Sequence, residues 1–407
     1  MTDVHLHVGL AKTGTTTIQA ALEAGAGRLA AEGVLFPGGS HRAQRLAAYD
    51  LVGQRVHGEE RGQVPGALRR LLAEVTAYDG ARVVVSEEEL SLARPRQARR
   101  LVRALGDHRV FVVVGVRDVA RTVVSSWQQT VVNGGCVTWH DFVSSVRGEP
   151  GAPPSEGLSF WYRHDVRRVV DAWATAVPPE RIRLVTVPPP GAGPTTLLDR
   201  FGRATGLPDG WAGTLPAARN VSLGAAELEA VRRLNESVAG ALTTSQHRFV
   251  VEAGIRARLA GAAGRPPELP AEHRAWARAY GEGVVADLAR RGLTVHGDLA
   301  DLVPALEGGT GPALDQVADE ELLAATQAAL VSLALDHGRL FRRYRRAFRQ
   351  AEGRLPGVAE VLGSGARAGG FHVRKWVLHR ADHHPLVARA SRAYVGRTSG
   401  HRGAGQG

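Results

Sequence analysis

Short apolar runs of extended character alternate with stretches of helical spacing through most of this chain. Val4-His-Leu-His-Val8 alternates apolar and histidine positions with period two, which predicts a short strand entering a core. Ile18, Ala21 and Leu22 follow at helical spacing, so residues 18–32 predict an alanine-rich helix ending near Glu32-Gly33. Val34-Leu35-Phe36 and Pro37-Gly-Gly39 read as an extended piece and a turn. Helix is expected again over 67–75 and, opened by Pro95, over 96–105. Between them Ala81-Arg-Val-Val-Val85 reads as a buried strand, and His108-Arg-Val-Phe-Val-Val-Val114 is the strongest strand signal of all. Arg181-Ile-Arg-Leu-Val-Thr-Val187 is a fourth strand, and 197–205 a helix ended by Gly206. Strands alternating with helices predict an α/β fold: a three-layer α/β/α arrangement around a mainly parallel sheet.

Other segments fill in around this frame. Residues 40–61 mix His41, Arg42, Arg45, Tyr49, Asp50 and His57 in what reads as a surface helix. Thr138-Trp-His-Asp141 carries an N-cap with an acid at the third helical position. Gly148 to Gly157, with three prolines, predicts no regular structure, and Ser159 to Ala176 reads as one amphipathic helix carrying Trp161 and Trp173. Ser222 or Asn220 is expected to cap a helix with Leu228, Val231, Leu234, Val238 and Leu242 on one face. Helix is also expected over 271–292. Gly297 to Leu302 closes a first domain set at 1–307. Residues 308–350 comprise a glycine-rich linker and a helix with Leu322, Leu323, Leu330, Leu333, Leu340 and Phe341 on one side. Residues 351–407 read as a loosely ordered basic tail.

Charge sharpens that last division. The net charge of +11 is concentrated at the end: residues 339–407 hold 15 Arg and Lys against three acids, leaving the other residues near neutral at −1. A near-neutral body argues against a nucleic-acid platform, whereas the basic tail favours contact with an anionic surface or a solvated extension. The amphipathic helix that turns basic at Arg342-Arg-Tyr-Arg-Arg346 can dock on the main domain, dimerise or lie on an anionic membrane, and docking is the expectation. Cys136 is the sole cysteine, so no internal disulfide is expected, which suits a reducing cytoplasm. No apolar run is long enough for a transmembrane helix, and no secretory signal is read at the N-terminus.

Candidate chemistry begins at Gly9-Leu-Ala-Lys-Thr-Gly-Thr-Thr-Thr-Ile-Gln19, between the first strand and the first helix. Backbone N–H groups of such a loop and the positive end of the helix dipole converge on one point and make an anion site. The spacing approaches G-x-x-x-x-G-K-[ST], with Gly9 and Gly14 five apart and Thr16 in the last place. The lysine is displaced, however: Thr15 stands where the motif wants Lys, and the cation is Lys12. Arginine is the default cation of this chain, which has only Lys12 and Lys375, so a lysine here points to a need for a compact ammonium. The alternative is a Gly/Thr turn that merely caps a helix beside a solvated lysine.

Two further stretches sit just past strands, where ligands bind in open α/β sheets. Ser86-Glu-Glu-Glu-Leu-Ser91 places carboxylates after the strand 81–85; Ser86 with acids in a first helical turn is the capping alternative. After the strand 108–114, Arg117 is followed eight residues on by Ser125, about two turns into a helix, with Gln129 beyond. A guanidinium at a strand end and a hydroxyl on the next helix can close on one phosphate from two sides.

Together these stretches resemble the sulfotransferases, particularly bacterial members related to heparan-type carbohydrate sulfotransferases, over about residues 1–305. The resemblance implies a P-loop-type fold, to which the helix read beyond residue 308 adds a C-terminal extension. It also implies 3′-phosphoadenosine 5′-phosphosulfate (PAPS) as sulfuryl donor, a carbohydrate or small-metabolite acceptor, and no required metal. On that likeness Lys12, Thr13, Gly14, Thr15, Thr16 and Thr17 hold the 5′-phosphosulfate, and Arg117 and Ser125 hold the 3′-phosphate. Arg219 adds a nucleotide contact, and Glu88 of a Ser-x-Glu pattern is the base, with Glu87 as the neighbouring choice of register. The competing readings are an ATP-dependent P-loop kinase, with the carboxylates or Asp118 serving Mg²⁺, and a non-catalytic nucleotide-binding protein.

Overall fold

The computed structural model describes residues 1–54, 60–213, 223–256, 259, 267–305, 314 and 317–351. Its strands are β1 Asp3–His7, β2 Val34–Leu35, β3 Arg82–Ser86, β4 Arg109–Val116, β5 Ile182–Thr186 and β6 Thr294–His296. They form one all-parallel sheet in the order β2-β3-β1-β4-β5-β6. The α/β class and the layered plan are therefore as the hydrophobic pattern predicts. The order differs from the 3-2-1-4-5-6 of the dinucleotide-binding fold, because here β3 rather than β2 lies beside β1.

Alternation along the strands builds the two faces. Val4 and Leu6 on β1, with Val8 just past it, join a core with Val83, Val85, Val112, Val114, Ile182 and Leu184. Helices α2 His41–Val52, α3 Ala67–Thr76, α4 Pro95–Ala104 and α8 Val166–Ala174 supply its cover. On the other face Val84, Val113 and Val185 pack against α1 Thr15–Ala31 and α9 Thr196–Thr205. Apolar residues on both faces are what a central parallel sheet requires, each buried Val or Leu contributing roughly 1.5–3 kcal/mol. The histidines of β1 also point to this second face, where burial holds both neutral: His5 and His7 titrate at about 3. His7 meets Phe201 of α9 edge-on, 5.0 Å between centroids.

A further apolar cluster lies to one side of the sheet. It joins α5 Val119–Val132, α6 Trp139–Arg147, α7 Pro154–His164 and α10 Ala225–Val238, with Trp127 and Trp139 at its centre. The short α11 Thr244–His247, a π-helical segment Arg248–Arg256, α12 Ala271–Ala289 and α13 Asp319–Ala351 complete the described helices. None of the described helices is long and apolar enough to cross a membrane.

Several expectations need correction. Residues 159–176 are not one helix: Asp165 leaves the helical region and accepts from the Arg167 amide at 3.0 Å, so α7 stops and α8 starts. Irregular structure after Gly148 ends at Pro153, because Pro154 takes a first-turn position that needs no amide hydrogen. The N-cap position of α10 is Gly224 and the helix stops before Leu242, while Asn220 and Ser222 lie outside the described residues. The edge strand β6 is an addition that a Thr-Val-His triplet does not announce. Chain contacts define two compact units, Met1–Leu333 and Ala334–Gly407, with the division inside α13. Leu322 and Ala325 of α13 are buried and Leu333 packs on the lateral cluster, whereas Leu323, Leu330, Leu340 and Phe341 are exposed. Within the first unit, therefore, the helix docks through Leu322, Ala325 and Leu333. His57, the 308–312 linker and the 352–407 tail lie outside the described residues.

Candidate active site

Parallel registry brings the ends of β1 and β3 level, since His7 pairs with Ser86, while β4 runs on to Val116 past the Val113 that pairs with His7. The loop after β1 is therefore flanked by the segments after β3 and β4. It is tied down by backbone bonds: the Leu10 amide donates to Gly115 O at 2.8 Å, and the Gly115 amide to Gly9 O at 2.5 Å. Gly9 has φ 85°, and a Cβ there would stand 3.1 Å from Cα and Cβ of Glu88. Glycine thus permits both the turn and the approach of the loop to the carboxylates. Gly14 caps α1 in the left-handed region with φ 82°. The first turn of α1 holds no acid, so the positive end of its dipole follows directly on the loop.

The threonines divide into two kinds. Thr13 and Thr15 are buried and turn inward, donating to Leu10 O at 2.6 and 3.3 Å, so their hydroxyls shape the loop. Thr16 is exposed to the main cavity, and the Thr17 amide donates to Gly14 O at 3.0 Å.

Lys12, with φ 66°, directs its Nζ to Gln129 Oε1 at 2.8 Å rather than into bulk water. Its carbonyl accepts from an NH1 of Arg117 at 3.2 Å, and the same nitrogen stands 3.3 Å from Ser125 Oγ. Lysine, arginine, serine and glutamine therefore form one hydrogen-bonded cluster linking the loop to α5. Arg117 forms no ion pair among the described residues, and its buried Nε lacks a partner there. The neighbouring Asp118 is held by Arg121, which receives the carboxylate on its amide at 2.8 Å and on its guanidinium. Burial, followed by the charge of Arg121, lowers Arg117 to about 10, which leaves it protonated at neutral pH.

On the other flank three glutamates have three fates. Glu87 is buried, donates its amide to His7 O at 2.9 Å and pairs with His41 Nε2 at 3.0 Å. It also occupies the N-cap of the 3₁₀ turn Glu88–Leu92, the position that the capping alternative gave to Ser86. Glu89 is raised by burial and stands 4.0 Å from Arg163. Glu88 is pushed up to about 7 by burial and by the charges of Glu87 and Glu89, with Lys12 and Arg163 pulling the other way. Ser86 has all three polar atoms bonded: Oγ to His7 Nδ1 at 2.7 Å, N to Gln44 Oε1 at 2.7 Å, and O to Gln19 Nε2 at 3.0 Å.

Lys12, Thr16, Glu87, Glu88 and Gln129 line a cavity of about 770 Å³, within the size range of small-molecule sites. Arg117 lines a smaller neighbouring space of about 30 Å³ with Leu10, Ala11 and Thr13. Ser125 lines neither, and reaches the cluster through Arg117. Arg219 lies outside the described residues. Sequence reading missed His164 and Arg163, which α7 brings over the large cavity. His164 Nε2 is hydrogen-bonded to Ser126 Oγ at 2.9 Å, and burial with the charges of Lys12 and Arg163 depresses it to about 3, so it is neutral. Nothing around position 164 marks it as part of a site that lies on another element; the only signal available was its place at the end of an amphipathic stretch.

The arrangement offers a fixed cation cluster, a carboxylate that changes protonation near neutrality, and room for a substrate between them. Comparison with known proteins supplies no relative: no family model, curated protein or solved structure matches the chain.

Proposed function

We propose that this chain is a cytoplasmic sulfotransferase that moves a sulfuryl group from PAPS to a hydroxyl or amine of a carbohydrate or small-metabolite acceptor. The observation that carries the reading is the pairing of Lys12 and Glu88 in one cavity, with Glu88 held at about 7. A base works best when its pKa lies near the operating pH, and an ammonium works best where charge gathers.

In the proposed reaction the acceptor heteroatom attacks sulfur in line, and the bond from sulfur to the bridging phosphate oxygen breaks. Glu88 takes the acceptor proton, and the electron pair leaves on the 5′-phosphate of adenosine 3′,5′-bisphosphate. Lys12 and the first amides of α1 meet the negative charge that builds on the bridging oxygen, an interaction worth roughly 3 kcal/mol in comparable oxyanion sites. The resemblance assigns Arg117 and Ser125 to the 3′-phosphate; Arg117 lines only the space of about 30 Å³ and its unpartnered Nε is buried, so the reading requires the Arg117–Ser125 contact to open when the nucleotide binds. The displaced lysine separates this reading from an ATP-dependent kinase.

Thermal unfolding with adenosine 3′,5′-bisphosphate, compared with ATP and magnesium, tests the assignment. At a ligand concentration one hundred times Kd the bisphosphate should stabilise the fold by about 2.7 kcal/mol. Stronger protection by ATP with magnesium would replace the proposal with the kinase reading, and bisphosphate binding without transfer to any acceptor would favour the non-catalytic one.

A further inference from the structure

The second half of α13 is used by nothing in the site described above. Leu340 and Phe341 are followed by Tyr344 and Phe348 at spacings of three and four, and all are exposed, Tyr344 to 67% and Phe341 to 56%. At 100° per residue these four fall within about a quarter turn of the helix, one continuous apolar stripe. They are locally ordered: Tyr344 stacks on Phe348 at 6.1 Å, and the Arg345 guanidinium lies 5.9 Å from the Phe341 ring. Arg339, Arg342, Arg343, Arg345 and Arg346, all exposed, occupy the rest of the circumference. The only acid from 334 to 351 is Asp336, which pairs with Arg339 at 2.6 Å.

We propose that residues 334–351 form an interfacial helix that lays its leucine and aromatic stripe into the headgroup layer of an anionic bilayer. Three alternatives fit the pattern less well. Pairing with a second copy would set arginines against arginines with almost no acids to match them. A nucleic acid would satisfy the guanidinium groups and leave four large apolar side chains in water. Crossing the bilayer is excluded for this segment by its charge. A cationic polar face around an aromatic stripe suits the plane of an anionic interface, where the rings enter the acyl boundary and the arginines meet phosphate. The arginine-rich sequence of the following residues adds to the same attraction.

Sedimentation of the full chain with vesicles tests this. The probes are phosphatidylcholine alone and phosphatidylcholine with about 30% phosphatidylglycerol, at near-physiological salt. The protein should partition to the anionic vesicles only. Phe341→Ser combined with Phe348→Ser should reduce partition roughly tenfold or more at unchanged charge. Arg342→Gln with Arg346→Gln should also reduce it by more than tenfold, about fivefold per arginine. Both pairs are exposed, so an unchanged melting temperature and circular dichroism spectrum will show that the fold persists. Absence of anionic-vesicle binding overturns the proposal. So does full binding by the Phe341/Phe348 variant, which would leave only the basic tail, and so does a concentration-dependent dimer that this variant abolishes.

Discussion

The two flanks of the loop after β1 respond to the same physical pressure in opposite ways. After β3, burial and crowding raise Glu88 to about 7; after β4, burial lowers Arg117 to about 10. Both shifts run toward neutrality, as desolvation demands. The starting values decide the outcome: the carboxylate arrives where it exchanges a proton at physiological pH, while the guanidinium stays charged throughout. Partners differ as well, since Glu87 and Glu89 have His41 and Arg163 nearby whereas Arg117 meets only neutral oxygens. On the proposed reading one flank would exchange a proton and the other would meet an anion. Similar burial thus yields two kinds of chemistry within one loop's reach.

The contrast can be broken most severely at Lys12, which stands between the flanks. Lys12→Ala should lower sulfuryl transfer at least about a hundredfold, and the pH midpoint of any residual rate should move upward, because Lys12 pulls the Glu88 carboxyl down. Full activity in that variant would remove the central assignment. Next comes Arg117→Ala, which should weaken adenosine 3′,5′-bisphosphate binding by roughly 10- to 100-fold in calorimetry while sparing AMP. An equal loss for both nucleotides would show that Arg117 holds the loop and not the 3′-phosphate.

A gentler probe is pH. Transfer should rise through about pH 7 as Glu88 ionises, and Glu88→Gln should abolish that limb. Stability should run the other way. The folded state keeps a proton on Glu88 from its ordinary 4.5 up to about 7, so this group's contribution falls as pH rises through that window. Glu88→Gln should therefore melt about 2–4 °C higher than the parent at pH 8, with the gap closing toward the acid end. Equal melting at both ends would mean that Glu88 is not withdrawn from water. The smallest effect belongs to Ser125→Ala, whose lost hydroxyl should cost about three- to fivefold in bisphosphate affinity with little thermal change.

Much of this architecture was legible beforehand because strands buried on both faces must be written in β-branched residues. The runs at 82–86 and 109–116 leave little choice, and the glycine loop announces itself by position. The order of Lys12, Glu88, Arg117 and Ser125 also mapped each onto a strand end or the helix after it. What stayed hidden depends on distant packing. Gln129 was visible as a neighbour of Ser125, but its bond to Lys12 spans 117 positions. His164 and Arg163 reach the cavity from α7, a helix whose start is masked by proline and whose end is set by Asp165. The inward turn of Thr13 and Thr15 follows from the path of the loop, which residue identity alone does not disclose.

Ser86 offers a last consequence. With its amide, carbonyl and hydroxyl each held by a different element, the corner that carries the glutamates has no slack. Any remodelling of the cavity toward a new acceptor must then come from lining residues that make no bond to that corner, such as Arg45 and Tyr49 on α2 and Glu156 and Ser159 on α7. The fold thereby separates a fixed anvil from an exchangeable jaw, and changes of acceptor should be engineered in the jaw.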